Sequence, residues 1–233
     1  MLSAVIFDLY NTLARVDIAA YRDAKREMAR LVGVPDTIFL ELWRQHSREC
    51  NRGDLITAEE RVARVLLDAG RRPVREQIRQ AADIEYRLQE RSAELDGQAR
   101  QVLIELKQMG LKLGLITNTG FPSDRVVELL QLESLFQAVV LSYRVRQVKP
   151  GGGIYQRVCG DLLVEPEACL YIGDGDDQEI AGAAASGMIT VRLQGPRERL
   201  AYSNDETASD FVIGELTDAV PLVRRILTGN GAS

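Results

Sequence analysis

Residues 4–13 read AVIFDLYNTL, a short apolar run that ends in a carboxylate and then turns polar. Three later runs have the same form: KLGLI before Thr117, AVVL before Ser142 and CLYIG before Asp174. Apolar runs of this length, separated by helix-length stretches, are typical of parallel strands that are buried on both faces. The carboxyl ends of such strands face one crevice, where ligands bind. The sequence therefore predicts that these polar residues converge on a single site.

The stretch between the first two runs has a different pattern. From about residue 21 to residue 91, apolar side chains recur at helical spacing and no convincing strand interrupts them. Thr57-Ala58-Glu59-Glu60 has the pattern of a capping box directly before an apolar run, which predicts the start of a helix. Breaks around Gly33, Gly53 and Gly70 divide the stretch into several helices.

After residue 96 the pattern alternates between helix and strand. Helices are predicted near residues 98–109, 123–132, 153–162, 176–186 and 216–227, strands at 112–117, 189–193 and 211–213, and a surface loop with a short helix at 194–209. We therefore predict an α/β fold with a doubly wound parallel core, residues 1–15 and 96–233. An all-helical cap, residues 16–95, is inserted after the first strand, where it can act as a lid over the crevice.

Length and charge limit the class of protein. The 233 residues suffice for a sizeable core, the formal net charge is −5, and Lys and Arg are dispersed. Three cysteines without CxxC spacing argue against a disulfide framework or a zinc site. No apolar run has the length of a membrane span, and no apolar signal segment precedes the first strand. We expect a soluble, cytoplasmic protein with a small-molecule substrate and no nucleic-acid or membrane partner; no pattern sets its oligomeric state.

Four motifs, in this order, resemble those of the haloacid dehalogenase-like hydrolases with a C1-type helical cap. The matching residues are Asp8-Leu9-Tyr10-Asn11-Thr12 for the first motif, Thr117-Asn118 for the second, Lys149-Pro150 for the third, and Gly173-Asp174, Glu179 and Gly182-Ala183 for the fourth. Each motif is weak alone, whereas all four in order make a specific match. The resemblance covers essentially the whole core.

The resemblance implies a hydrolase with a covalent intermediate on an aspartate nucleophile, Asp8. The residues that it assigns to catalysis are Asp8, Tyr10, Thr117 and Lys149; to the substrate, Asn118; and to a metal ion, Asp8, Tyr10 (through its carbonyl), Asp174 and Glu179. The implied ion is Mg²⁺, which prefers oxygen ligands and retains waters that a phosphate can replace.

Tyr10 departs from the pattern of the family's phosphatases, which carry a second Asp here as general acid and base, a contribution of ~10²–10⁴-fold. The family's dehalogenases carry Tyr instead and use no metal. Asp174 favours the phosphatases, because the dehalogenases have small polar residues there and a buried carboxylate beside Asp8 is costly without a cation. We weigh the metal site more heavily and predict a Mg²⁺-dependent phosphatase. The alternatives are a 2-haloacid dehalogenase-type hydrolase and a low-turnover binding protein on the same fold.

Three arginines of the predicted cap, Arg44, Arg48 and Arg52, are spaced at i, i+4 and i+8 and share one helix face. A charged face of this kind is more often solvated than functional. Arg52 is the candidate for binding substrate, because the neighbouring Gly53 predicts a loop that faces the core and a guanidinium can bind a carboxylate or phosphate bidentately.

Two other classes of protein fit less well. A receiver-like signalling module would carry its acceptor Asp on a later strand and would have no helical insertion after the first one. A nucleotide site at Gly151-Gly152-Gly153 would need the GxGxxG spacing between a strand and a helix, which is missing here.

Overall fold

The computed structural model describes residues 1–121, 123–194 and 207–229. The strands of this part of the chain are β1 (Ala4–Phe7), β2 (Ala14–Val16), β3 (Ala93–Leu95), β4 (Lys112–Thr117), β5 (Ala138–Leu141), β6 (Cys169–Gly173), β7 (Ile189–Leu193) and β8 (Phe211–Ile213). Six of them form one sheet in the order β5-β4-β1-β6-β7-β8, and every neighbouring pair is parallel. The predicted parallel α/β fold is confirmed.

Helices flank the sheet and fill the segment between β2 and β3. Their bounds are α1 (Ile18–Val32), α2 (Asp36–Gln45), α3 (Ser47–Asn51), α4 (Ala58–Asp68), α5 (Arg75–Ser92), α6 (Ala99–Gln108), α7 (Ser123–Leu129), α8 (Ser142–Val145), α9 (Gly152–Leu162), α10 (Glu179–Ala185) and α11 (Ala219–Leu227). No helix in the described ranges is both long and apolar enough to cross a lipid bilayer.

The order in which successive strands are added to the sheet reverses beside β1. From β1 the chain crosses to β4 and β5 on one side, and then returns to β6, β7 and β8 on the other. A crevice opens at the carboxyl ends of the strands where the order reverses, here between β1 and β6. These two strands are in register, with Phe7 opposite Ile172. The residues that follow them are therefore held side by side.

The apolar sequence of β1 follows from burial on both faces of the sheet. Val5 and Phe7 pack into the hydrophobic cluster that contains α6 and α11, whereas Ala4 and Ile6 pack into the one that contains α9 and α10. All four side chains are fully buried. A strand with no solvent-exposed face cannot alternate between apolar and polar residues, so it has the continuous apolar run that the sequence shows.

The insertion between β2 and β3 consists of helices α1 to α5 and has its own hydrophobic core, which includes Met28, Phe39, Trp43 and Leu66. Helix α4 begins where the capping box predicts: the Thr57 hydroxyl accepts from the Glu60 N–H, and the Glu60 carboxylate accepts from the Thr57 N–H. The prediction of an all-helical insertion is confirmed, while its C1 type and the division at residues 16–95 stay predictions.

A two-stranded antiparallel ribbon, β2 with β3, joins the insertion to the core and is a feature that the sequence analysis did not predict. The Asp96 N–H donates to the Leu13 carbonyl at 2.8 Å just beyond it. Each strand has three residues, too few for a periodic signal, and the partners lie about 80 residues apart in sequence. The ribbon brings the entry and exit of the insertion together.

Two predicted helices are shorter than expected. The predicted helix 123–132 ends at Leu129, and the predicted helix 176–186 begins as a 3-10 turn, Asp176–Gln178, before α10. Asp177 and Gln178 have positive φ, which breaks the helical path and turns Glu179 back toward the crevice. Most of the predicted loop at 194–209 lies outside the described residues.

Candidate active site

Three carboxylates converge at the crevice. Asp8 follows β1, Asp174 follows β6, and Glu179 is the first residue of α10. The Asp8 N–H donates to the Ile172 carbonyl at 3.0 Å, which extends the pairing of the two strands to the nucleophile candidate. Oxygen atoms of the three carboxylates lie within 4.8 Å of one another, and all three residues are buried. The structure thus brings together the acidic residues predicted to hold a metal ion.

Lys149 is the cation among these carboxylates. Its Nζ donates to Asp8 Oδ1 at 2.5 Å and to Glu179 Oε2 at 2.6 Å, and lies 3.3 Å from the Tyr171 hydroxyl. The side chain is almost fully buried. We call Asp8, Lys149, Asp174 and Glu179 the core cluster.

Asn118 holds the backbone of Lys149. Its Oδ1 accepts from the Lys149 N–H at 2.8 Å, and its Nδ2 donates to the Lys149 carbonyl at 3.0 Å and to Asp177 Oδ2 at 2.7 Å. The amide predicted to contact substrate is therefore engaged in positioning the lysine. It still lines the cavity described below, so its role toward the substrate stays a prediction.

Glu179 is fixed by three donors. Besides Lys149, the Tyr171 hydroxyl donates to Oε2 at 2.7 Å, and the Gly175 N–H donates to Oε1 at 3.0 Å. A Cβ at Gly173 would collide with this carboxylate, so the glycine of the fourth motif is required for the close approach. Glu179 is thereby placed to hold Lys149, in addition to its predicted role toward a metal.

Burial and the neighbouring charges shift the pKa values of Asp8 and Lys149. Burial raises the pKa of Asp8 well above its usual value, and the charges of Glu179 and Asp174 raise it further, although Lys149 lowers it. Burial acts against the charge on Lys149, but Asp8 and Glu179 together raise its pKa well above the usual value. Lys149 therefore keeps its positive charge beside Asp8 and Glu179.

Tyr10 and Thr117 both lie at the cavity. Burial raises the pKa of the Tyr10 phenol, although the nearby hydroxyls of Ser123 and Thr119 lower it. Thr117 ends β4 and is buried. The structure therefore brings Tyr10 and Thr117 to the same cavity as Asp8.

A cavity of about 580 Å³ extends from the strand ends to the helical insertion. On the core side it is lined by the core cluster, and on the insertion side by polar residues that include Arg44, Arg48, Arg61, Glu85 and Gln89.

The structure does not support the prediction for Arg52. This residue is the C-cap that follows α3, its side chain is about half exposed, and its Nε pairs with Asp54 Oδ2 at 3.3 Å. It is not among the residues that line the cavity in the described ranges. The neighbouring loop does face the core, as predicted, but through the Gly53 carbonyl, which accepts from Arg146 at 2.8 Å.

Sequence reasoning missed several residues of the site. The Tyr171 hydroxyl, in the apolar strand β6, is hydrogen-bonded to both Lys149 and Glu179. The signal that could have found it is the presence of a hydroxyl group within an otherwise apolar, buried run. Arg61, Glu85 and Gln89 reach the cavity from α4 and α5, and no local pattern distinguishes them from surface residues.

Comparison with known proteins agrees with the fold and the motifs. The chain is 33% identical over 127 residues to glyceraldehyde 3-phosphate phosphatase of Methanopyrus kandleri, which covers 53% of this chain and 54% of that protein. It is 29% identical over 162 residues to phosphoserine phosphatase of Thermus thermophilus, covering 68% and 62%. The chain thus spans about half the length of the archaeal phosphatases that it matches.

Solved structures share the fold at low identity. A 2-haloacid dehalogenase from Pseudomonas syringae pv. Tomato DC3000 superposes with a TM-score of 0.71 at 22% identity, covering 97% of this chain and 100% of that one. A HAD phosphatase from Thermococcus onnurineus superposes with a TM-score of 0.66 at 21% identity, covering 98% and 99%.

A family model gives the assignment that these likenesses suggest. The haloacid dehalogenase-like hydrolase model matches residues 2–187, which include β1 and the residues of all four motifs. The chain therefore belongs to the haloacid dehalogenase-like hydrolases.

Proposed function

We propose that this hydrolase is a Mg²⁺-dependent phosphatase that acts on a small phosphorylated metabolite through an aspartyl phosphate on Asp8. One observation carries the proposal: three buried carboxylates lie within 4.8 Å of one another, and the cation Lys149 is bonded to two of them, Asp8 and Glu179. Like charges at this distance repel strongly in a buried site unless a further cation is present. A haloacid needs no such cation, whereas a phosphate dianion does.

The donor set fits magnesium. All three side chains offer carboxylate oxygens, the ligands that a hard divalent cation prefers. Asp8 and Asp174 would hold the ion together with the Tyr10 carbonyl, and Glu179 would add its charge as a further ligand. When bound, the ion would neutralise charge on the phosphate oxygens and orient the phosphoryl group.

The chain's own residues account for the covalent steps. An Asp8 carboxylate oxygen attacks phosphorus, the bond from phosphorus to the ester oxygen breaks, and the leaving oxygen takes up a proton. Water then cleaves the acyl phosphate and regenerates Asp8. Lys149, held by Glu179 and Asn118, keeps its charge beside Asp8 and would stabilise the phosphoryl oxygens together with the Thr117 hydroxyl.

Tyr10 limits the range of leaving groups. Its phenol has a pKa raised above the ordinary value of 10.0 by burial, so it is a weak acid for protonating an alkoxide at neutral pH. Substrates whose leaving oxygen is already a weak base would be hydrolysed without this help. We therefore expect aryl phosphates to be better substrates than alkyl phosphates in simple assays.

A 2-haloacid dehalogenase-type activity is the second candidate, favoured by Tyr10 in place of the second Asp. In that reaction Asp8 would displace a halide from carbon, and water would cleave the resulting ester, without any need for an acid at Tyr10. A low-turnover binding protein is the third candidate.

The experiment is hydrolysis of p-nitrophenyl phosphate and of L-2-chloropropionate, each with Mg²⁺ and with EDTA. Phosphate release that EDTA abolishes is the expected result. Chloride release that is indifferent to EDTA would replace the proposal with dehalogenation. Mg²⁺ binding without turnover of either compound would favour the binding protein.

A further inference from the structure

Two of the three cysteines lie against each other on the face of the sheet that α9 and α10 cover. Cys159 is in the last turn of α9, and Cys169 is the first residue of β6. Their Sγ atoms lie 3.8 Å apart within the hydrophobic cluster on that face, and both thiols are free and buried. We call Cys159 and Cys169 the thiol pair. Neither is among the described residues that line the cavity, whereas the third cysteine, Cys50, is.

The two sulfurs of the thiol pair are in direct contact. A disulfide requires them to approach to about 2.05 Å, and rotation about the two Cα–Cβ bonds is the motion that closes this gap. The two cysteines are ten residues apart in sequence. They are therefore held near each other by a short connection as well as by the packing of α9 on the sheet.

The connection between α9 and β6 gives a small oxidant a route to the sulfurs. The Glu165 carbonyl oxygen lies 3.3 Å from Cys169 Sγ, so this connection covers the pair. Leu163, which follows the last residue of α9, has a φ of 54°, a conformation that leucine rarely adopts, and is 83% exposed. Helix ends and exposed loops open more readily than the centre of a sheet.

The two thiols differ in acidity. The hydrogen bond with Cys169 lowers the pKa of the Cys159 thiol, whereas this bond and burial raise the pKa of Cys169. Burial also raises the pKa of Cys50. Because the thiolate is the reactive form, Cys159 is the cysteine that an oxidant attacks first.

We propose that Cys159 and Cys169 form a reversible disulfide on exposure to hydrogen peroxide, and that this bond fastens α9 to β6. The Cys159 thiolate attacks one oxygen of the peroxide, the O–O bond breaks, and a sulfenic acid and hydroxide result. The Cys169 sulfur then attacks the Cys159 sulfur, and the S–O bond breaks. The two hydroxides leave as water with the two thiol protons. Two thiols are thereby oxidised and one peroxide is reduced, and a dithiol such as dithiothreitol reverses the reaction by exchange.

The bond would form away from the active site. Cys169 begins β6, while Asp174 follows the opposite end of the same strand. The disulfide therefore ties the helix that comes after Lys149 to the strand that comes before Asp174, without entering the crevice. A cross-link between two elements stabilises a folded chain, and we expect the unfolding temperature to rise by about 5 °C. The proposal does not depend on the phosphatase activity, and its test needs no substrate.

The test is oxidation of the folded protein by hydrogen peroxide, followed by catalase and then by alkylation with N-ethylmaleimide in urea. We expect alkylation at Cys50 only. Trypsin leaves both members of the thiol pair in one peptide, residues 158–192, which should be lighter by two hydrogens and carry no maleimide. Further cleavage after Glu165 and Glu167 should leave two peptides joined by the disulfide. Dithiothreitol should restore all three thiols and return the unfolding temperature to its starting value.

Single variants assign the steps to their residues. Cys50→Ser is the control and should keep both the cross-link and the rise in unfolding temperature. Cys159→Ala and Cys169→Ala should each lose both. In Cys169→Ala the sulfenic acid of Cys159 has no partner, so dimedone should label it, whereas Cys169 in Cys159→Ala should remain largely unlabelled.

Four results would overturn the proposal. The first is that the wild-type protein retains three alkylatable thiols after peroxide treatment. The second is a cross-link that forms only when urea is added before the peroxide, since the contact would then be packing alone. The third is an equal rise in unfolding temperature in Cys159→Ala, and the fourth is a disulfide that lowers the unfolding temperature of the wild-type protein.

Discussion

The core cluster at the strand ends differs from a second group of charges in the insertion, Lys25, Arg61 and Glu85, which we call the cap cluster. Arg61 and Glu85 line the same cavity as the core cluster, whereas Lys25 is fully buried and is not one of its lining residues. In the core cluster Lys149 is bonded to two of the three carboxylates, Asp8 and Glu179, whereas in the cap cluster Lys25 pairs with Glu85 and Arg61 stacks on Trp43. Both groups are buried, where an uncompensated charge is costly. The difference is that the buried carboxylates of the core cluster outnumber their bonded lysine, which is the charge that the proposed Mg²⁺ would supply, whereas Lys25 and Glu85 compensate each other within the insertion.

Burial also shifts the pKa values of Asp8 in the core cluster and Lys25 in the cap cluster in opposite directions. It raises the pKa of Asp8 well above 3.8 and lowers the pKa of Lys25 from 10.5 to about 8, since in each case it disfavours the charged form. Burial would raise the pKa of Glu85 as well, but Lys25 and Arg61 together lower it. Glu85 is therefore well compensated, whereas the burial of Lys25 outweighs the effect of its carboxylate partner.

The largest effect should come from Asp8→Asn, which removes the nucleophile. We expect kcat for p-nitrophenyl phosphate to fall by about four orders of magnitude or more. Because the raised pKa of Asp8 means that its charge destabilises the native state at neutral pH, the neutral amide should raise the unfolding temperature measured in EDTA. Asp161→Asn, in an exposed pair with Arg157, is the control for both measurements. A variant that keeps most of its rate would exclude the covalent mechanism.

Glu85→Gln should be the largest stability change in the cap cluster. It leaves the Lys25 ammonium buried without its carboxylate, and breaking one side of a buried ion pair costs about 3–5 kcal/mol. Urea unfolding measures the loss. Asp83→Asn, on the same helix in a surface pair with Arg79, should change stability by less than about 1 kcal/mol. Equal effects of the two variants would mean that the Lys25–Glu85 pair is solvated.

The pH dependence of stability should carry the signature of Lys25. Below about pH 8 the lysine is charged in both states, so its burial cost is present in full. Between about pH 8 and 10.5 the native state releases the proton while the unfolded state keeps it, so the free energy of unfolding rises with pH. Relative to Lys25→Met, the wild-type protein should gain about 2 kcal/mol between pH 7 and pH 10 in urea unfolding. A constant difference between the two proteins would contradict the lowered pKa.

The smallest effect concerns Tyr10, which lies between the two clusters. Tyr10→Asp should increase the rate with alkyl phosphates by about tenfold, because a carboxyl group supplies the missing acid. Asn has nearly the same volume as Asp but cannot act as an acid, so Tyr10→Asn should show no such gain. The measurement is the ratio of kcat for glycerol 3-phosphate to kcat for p-nitrophenyl phosphate. A gain of equal size in both variants would mean that the phenol only obstructs the substrate.

Much of the core could be predicted from short stretches. The run before Asp8 is apolar because β1 is buried on both faces, and a parallel sheet brings strand ends together whatever the length of chain between them. For this reason Asp8, Thr117 and Asp174 could be assigned to one crevice without knowledge of any contact. The capping box at Thr57 is likewise a local signal, and α4 begins there.

The remaining features depend on contacts between distant segments. Lys25 and Glu85 lie 60 residues apart, and neither differs in its local pattern from a surface residue. Arg52 and Arg61 could not be ranked, because which arginine faces the cavity depends on how α3 and α4 pack. Tyr171 gains its role from Lys149, which a separate loop delivers.

The amino-acid pattern of the chain was sufficient for the parallel core, the helical insertion and the acidic strand ends, because each depends on local periodicity or on the common direction of parallel strands. The family followed from the resemblance of four short motifs in order. The pairing of Lys149 with Asp8 and Glu179 and the stacking of Arg61 on Trp43 follow from packing between helices and loops far apart in sequence. Packing of this kind leaves no local pattern, since burial and pairing are properties of the folded chain.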